Sequence, residues 1–427
     1  MNILNINLPK SHFHTLIGLV KSGHTVYTNY HDSFNYEPSL GIKYITESEN
    51  ALLYKDDYAL AEGEPSELIE LKKERINRIA ELIKTLIDKY KIDILQVGHP
   101  ELSYLNSRFK DQVKYIGPTE EAALLETNKI YSKALAETLG LKVPKILKHG
   151  KYFDKDYCKN LSFPCIEKPS NTWNPASIIN NEKDAYNAKM QVISQTYPRN
   201  KNLDYYIEEY IDDMIETNVF FIIANGKYVI THTQEIIGEN LNKTVQSNVW
   251  YFGSYIKPLK PEVDKIVRQE AHKYLKHIAK LGGSWEGSFC GAYTSKGDWY
   301  FLETNVRPDI FNSTPTFVTG DEYLKGLFED ISIFENAWKN KNIEKLLITT
   351  ENSENEYPLH LHDKYNVSYP NNLELKDGKY YVCLYGIIRH DNKKTGCGTV
   401  ISDHNIPVEF INEIEKTTPW SFNQDPS

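Results

Sequence analysis

The chain has 427 residues, with 40% hydrophobic side chains, 25% charged side chains and a net charge of −9 at pH 7. That length predicts about two to four domains rather than one core. Interspersed charges on an acidic chain argue against a nucleic-acid footprint, and no apolar run approaches the roughly 20 residues of a membrane helix. Five scattered cysteines (Cys158, Cys165, Cys290, Cys383, Cys397) form no C-x-x-C pair, which argues for a reducing compartment and against a disulfide framework or a zinc site. With no basic and apolar leader pattern at Met1–Asn7, a cytoplasmic protein is expected, as a monomer or dimer.

Residues 1–115 read as an α/β unit. A strand at Ile3–Ile6 leads into a helix-like stretch ending near Gly23, followed by a strand at Val26-Tyr27. From Ser66, Leu68, Ile69, Ile76, Ile79, Leu82, Ile83, Leu86 and Ile87 recur at three- and four-residue spacing, one apolar helix face. The apolar strand Ile92–Val97 then ends in Gly98-His99-Pro100. Alternating strands and helices imply a parallel sheet with ligands at the carboxyl ends of its strands. The first turn, Asn7-Leu8-Pro9-Lys10-Ser11, lacks the Gly-rich dinucleotide fingerprint, so no nicotinamide or flavin cofactor is expected.

Residues 116–325 read as α+β. Thr119 precedes two glutamates and an apolar run, an N-cap with acids against the helix dipole. A second helix starts near Asn128-Lys129 and stops at Gly140. Strands follow at Phe163–Pro169, carrying Lys168, and at Tyr205–Ile211; Asn225-Gly226 between apolar runs predicts a hairpin. The last strand of this region, fed by the turn Lys296-Gly297-Asp298, delivers Glu303 and Asn305 at i and i+2 and then Arg307. Side chains two apart on a strand share a face, so two oxygen ligands emerge side by side, a pattern that suits Mg²⁺. It equally suits a strand whose polar end is simply solvated.

The tail, residues 326–427, suggests a helix-like segment to Leu346, a polar loop, strands near Tyr380–Ile388 and a Gly-punctuated turn at Asn392–Gly398. His360 and His362 stand two apart without a nearby third ligand, which favours a half-exposed strand over a metal site.

In order along the chain, these pieces resemble a known family. Gly117-Pro118-Thr119-Glu120-Glu121-Ala122-Ala123-Leu124-Leu125-Glu126-Thr127-Asn128-Lys129 resembles the opening of the ATP-grasp module of phosphoribosylamine–glycine ligase, roughly G-P-x-x-x-A-A-x-L-E-x-S-K. A lysine strand (Ile166–Pro169), a hinge strand (Ile207–Ile211), a downstream acid (Glu216) and a closing E-x-N-x-R at Glu303, Asn305 and Arg307 follow in the family's order. Val97-Gly98-His99-Pro100-Glu101 is similar to its V-G-P-E segment. The resemblance covers about 210 residues. It implies α/β and α+β architecture: a Rossmann-like pre-ATP-grasp domain (1–115), an ATP-grasp domain (116–325) with a mobile lid at about 141–203, and a small mixed α/β C-terminal domain (326–427).

The same resemblance implies roles. Lys129 and Lys168 would hold ATP phosphates as point charges. Glu208, Glu209, Tyr210 and Ile211 would offer backbone groups to adenine, and Glu216 would accept from the ribose hydroxyls, although beside Asp212 and Asp213 it also reads as a solvated charge. Glu303 and Asn305 would hold Mg²⁺, with Mn²⁺ as an alternative, and Arg307 would stabilise a carboxylate or acyl phosphate, making Arg307 and Lys168 the catalytic pair. The implied reaction joins a small carboxylate, such as glycine or another amino acid, to a small amine and releases ADP. An ATP-grasp kinase, a carboxylase and a non-catalytic ATP-binding module are the alternatives.

Three departures bear on substrate. The family's first loop, G-x-G-G-R-E-H, is here Asn5–His12 with no glycine or arginine; its lid loop, K-P-x-G-L-A-A-G-K-G, is Lys168–Ser177 with Trp173 and Pro175; its R-F-G-D-P-E is Arg307–Asn312. The expectation is retained nucleotide binding with a changed amine acceptor.

Overall fold

In the computed structural model, the residues described are 1–6, 13–29, 41–46, 48–49, 65–98, 102–152, 154, 157, 159–170, 176–195, 204–237, 255–307, 319–339, 344–350, 367–368, 380–390, 393–402, 406, 409 and 420–421. The first loop Asn7–Ser11, His99–Glu101, lid residues 171–175, residues 308–312 and the His360/His362 pair lie outside them.

The first strands are apolar on both sides because helices cover both sides. Strands β1 (Asn2–Ile6), β2 (Thr25–Thr28), β3 (Ile42–Tyr44), β4 (Ile94–Val97) and β5 (Lys114–Pro118) pair in parallel in the order β5-β4-β1-β2-β3. Ile3, Ile94 and Ile116 pack with Leu16 and Leu19 of the helix Phe13–Lys21. Leu4 and Leu95 face the opposite way, onto Ile79, Ile83 and Leu86 of the helix Pro65–Tyr90. This is the parallel α/β unit expected from the alternation of elements.

A separate four-stranded sheet follows. It comprises β6 (Ile146–Lys151), β7 (Cys165–Pro169), β8 (Ser177–Ile179) and β9 (Asp204–Glu209) in the order β6-β9-β7-β8. Alternation divides its two faces. Cys165, Tyr205 and Ile207 join Tyr152, Tyr157 and Ile179 in a small core, while Lys168 and Glu208 point the other way. Glu167 lies on the core side, where it accepts from Tyr152, and burial pushes its carboxyl up to about 8. The hinge strand ends at Glu209, so Tyr210 and Ile211, expected within it, lie just past its end.

Strands β10 (Met214–Ala224), β11 (Lys227–Ile237), β12 (Tyr255–Pro258), β13 (Gly283–Thr294) and β14 (Trp299–Asn305) form antiparallel pairs. The β10–β11 turn puts Asn225 and Gly226 at φ 52° and 73°, the left-handed pair that a tight hairpin requires. One face of these strands packs on the helix Pro261–Ile278. Its Val263, Val267, Ala271, Tyr274, Leu275 and Ile278 are buried on one stripe against Val219, Phe221, Phe289 and Phe301. At roughly 1.5–3 kcal/mol for each large apolar side chain buried, this face is the main anchor of the central strands. Pairing of Gly283 with Pro118 joins β13 to β5, so the parallel and antiparallel strands belong to one sheet.

The tail departs from expectation near Leu346. Helices Tyr323–Phe328 and Ser332–Trp338 are followed by a strand, β15 (Glu344–Thr350), where the helix-like segment was expected to continue. The run Leu346-Leu347-Ile348-Thr349-Thr350 pairs between β12 and the strand Lys393–Ser402, so sheet hydrogen bonding overrides a short apolar pattern. Strands β16 (Val367–Ser368), β17 (Tyr380–His390), β18 (Lys393–Ser402) and β19 (Trp420–Ser421) complete that edge. No described helix is long and apolar enough to cross a membrane.

Candidate active site

The site is built first from strand alternation on β14. Thr304 faces the core, bonded to Tyr274 at 2.9 Å and Ser132 at 3.2 Å. Glu303 and Asn305 therefore face the opposite side, as their spacing predicted. Register across the sheet extends that face. Glu303 stands opposite Cys290, Cys290 opposite Asn218, and Asn218 opposite Gln234, one row across four strands. The next row carries Asn305, Ser288, Phe220 and His232, and the Asn305 amide reaches Ser288 Oγ at 3.4 Å. Glu216, nearly buried, lies two residues before Asn218 on the same face. At the far end Ile222 is covered by the N-terminal core, and Tyr323 donates to Glu286 at 2.7 Å.

A helix and the small sheet bring cations over this floor. Asn128 caps the helix Lys129–Thr138, its Oδ1 accepting from the Tyr131 N–H at 3.0 Å. Lys129 and Lys133, four apart, leave one helix face together. Lys129 Nζ lies 3.2 Å from Glu303 Oε2, and Lys133 Nζ lies 2.7 Å from Glu208 Oε2. Lys168 Nζ reaches the other Glu208 oxygen at 2.9 Å. Lys168, Lys133 and Glu208 are 8%, 1% and 2% exposed, so these charges interact with little solvent screening.

The electrostatics follow from that packing. Lys129, aided by Lys168 and Lys133, outweighs burial and holds the Glu303 carboxyl down at about 2. Burial drives Lys133 down to about 8, only partly offset by Glu208, while neighbouring Lys168 pushes the same way. For Lys168, burial is outweighed by Glu208 and Glu303, and its amine is raised. Burial opposes ionisation of Glu208, but Lys168 and Lys133 overcome it. Around Glu303 and Glu208 three lysines face the two carboxylates they pair with, a local excess of positive charge suited to a polyanion.

Arg307 is held in place by a residue that the strand pattern did not single out. Its Nε donates to Glu126 Oε1 at 2.9 Å, and Glu126 Oε2 accepts from the Val306 N–H at 2.9 Å. Glu126 closes the G-P-…-L-E stretch at Gly117–Lys129, so that motif carried the signal. Lys133 was not singled out in the sequence; its four-residue spacing from Lys129 is the signal that could have found it. Glu208 was expected to contribute backbone, yet its side chain organises two lysines. The Glu209 N–H is committed to the Lys145 carbonyl at 3.0 Å, and its carboxylate accepts from the Lys145 N–H at 2.9 Å.

The donor set fits a hard divalent cation in one specific manner. Among the described residues no group of three or more His, Cys, Asp or Glu side chains could hold a metal ion. Glu303 and Asn305 offer two oxygens on one rigid edge, which matches Mg²⁺ completing its shell with phosphate and water.

No protein-family model matches the chain. D-alanine–D-alanine ligase of Campylobacter jejuni subsp. jejuni serotype O:6 is 30% identical over 238 residues, 55% of this chain and 63% of that protein. Phosphoribosylamine–glycine ligase of Fusobacterium nucleatum is 23% identical over 238 residues, 51% of this chain and 54% of that protein. The chain thus spans less than two thirds of the length of these curated relatives. Among solved structures, an L-amino acid ligase from Bacillus licheniformis superposes with a TM-score of 0.65 at 14% identity, covering 97% of each chain. The fold is shared with this solved ligase, at low sequence identity.

Proposed function

We propose that this chain, which has the ATP-grasp fold, is an ATP- and Mg²⁺-dependent carboxylate–amine ligase that releases ADP and joins a small amino acid to a small amine. The observation that carries this reading is the convergence of Lys129, Lys133 and Lys168 on Glu303 and Glu208, between the small sheet and the floor of β10, β13 and β14.

Lys129 from the helix and Lys168 from the small sheet grip the phosphates from two sides. Tyr210 and Ile211 supply backbone groups to adenine, and Glu216 accepts from the ribose hydroxyls. Glu208 keeps Lys133 and Lys168 oriented rather than touching nucleotide. Glu303 and Asn305 would hold Mg²⁺, which when bound neutralises charge on the phosphates. Arg307, fixed by Glu126, faces the anionic carboxylate. A carboxylate oxygen of the amino acid attacks the γ-phosphorus, the bond to the β-phosphate oxygen breaks, and ADP leaves. The amine nitrogen then attacks the acyl carbon, phosphate departs, and the nitrogen loses a proton as the amide forms. The small sheet over the cleft limits water, which would otherwise hydrolyse the acyl phosphate.

The test is a substrate screen read by ADP and phosphate release, with products identified by mass. Release should require both an amino acid and an amine, yield an amide, and vanish in Glu303→Ala. AMP and pyrophosphate as products would overturn the reading, and so would a phosphorylated or carboxylated product with no amide.

A further inference from the structure

One buried side chain on the cleft face of β10 serves no visible structural purpose. Asn218 is 1% exposed, and among the described residues neither its Oδ1 nor its Nδ2 has a hydrogen-bond partner. A buried carboxamide left unsatisfied costs stability that an apolar side chain of similar shape does not. A ligand on this face would supply the missing partners. Adjacent strands lie about 4.8 Å apart, so Asn218, two strands from Glu303 in the same row, stands roughly 10 Å from the metal edge. Glu216, two residues away on the same face, is roughly 7 Å off. A polyphosphate running from a ribose at Glu216 to an ion at Glu303 would pass diagonally over β13 at Cys290, the strand neighbour of Asn218.

We propose that Asn218 is a nucleotide-positioning residue, its Nδ2–H donating to a non-bridging phosphate oxygen and its Oδ1 accepting from a hydroxyl or water that arrives with the nucleotide. The assignment rests on the nucleotide reading given above. A neutral amide suits the position. Lys129, Lys133 and Lys168 already supply positive charge, so a donor here orients the phosphates without adding to their mutual repulsion. A carboxylate at the same point would repel them.

Titration calorimetry of the full chain with Mg·ADP and with adenosine, on wild type, Asn218→Leu and Asn218→Asp, tests this directly, with thermal melting of each protein in the absence of nucleotide. Asn218→Leu should keep or raise Tm and weaken Mg·ADP about tenfold while leaving adenosine affinity unchanged. Asn218→Asp should weaken Mg·ADP further. A lower Tm in Asn218→Leu with unchanged Mg·ADP affinity would make Asn218 structural and overturn the proposal. Equal losses for adenosine and Mg·ADP would move the contact to the nucleoside and overturn it too. Wild type that binds no Mg·ADP would sink the nucleotide reading and this proposal with it. Intact wild-type binding with unaltered variants sinks this proposal alone.

Discussion

Replacing Glu303 by glutamine probes the charge balance of the cleft in a way that separates electrostatics from packing. The substitution keeps shape and removes one of two carboxylates facing three lysines. Moving a carboxyl from 4.5 to about 2 corresponds to about 3 kcal/mol of preference for the ionised form in the fold. The side chain is 28% exposed, so solvent screening trims this to about 2 kcal/mol. Because the folded value is depressed, the contribution is complete above about pH 4.5 and is lost as pH falls toward 2. Glu303→Gln should therefore melt roughly 2 °C below wild type at pH 7. The gap should narrow below about pH 4.5 and close near pH 2. Calorimetry of both proteins across that range reads the effect. A variant as stable as wild type at pH 7, or a gap independent of pH, would refute the inference that Lys129, Lys168 and Lys133 stabilise this carboxylate.

Two other perturbations test neighbouring parts of the structure. Lys133 is buried and held at about 8, below its ordinary 10.5, so the unfolded chain binds more protons between those values. Wild type should accordingly gain up to about 3 kcal/mol from this residue as pH rises from about 8 to 10.5, and Lys133→Met should lack that rise in urea titrations. Gly291 tests the floor itself: a Cβ there would sit 2.2 Å from the Trp299 indole, at the bulge of β13 against β14. Gly291→Ala should cost about 1–3 kcal/mol or more and lower the denaturation midpoint; an unchanged midpoint would contradict the packing described.

Several features were readable from residue order because local geometry alone enforces them. Alternation along a strand sends Glu303 and Asn305 to one face whatever lies around them. Thr119 and Asn128 cap their helices because a short polar side chain can satisfy the first N–H groups without help from distant residues. The Asn225-Gly226 hairpin follows from the positive φ that those two residues tolerate. The segment to Leu346, by contrast, reads as helix-like, and pairing with β12 and β18 made its end a strand.

The chemistry of the cleft depended on distant parts of the chain meeting. Glu208 became the partner of Lys133 and Lys168 only because a helix and two strands, far apart in sequence, close on one point. Asn218 joined the row of Glu303 through the register of β10 on β13 and of β13 on β14, which long-range hydrogen bonds set. Arg307 found Glu126 across 181 residues of chain. Strand period and helix capping are properties of a few consecutive residues, so the order of residues was enough to assign them. Ion pairing, burial and register are properties of contacts between segments, and they exist only once the segments have packed.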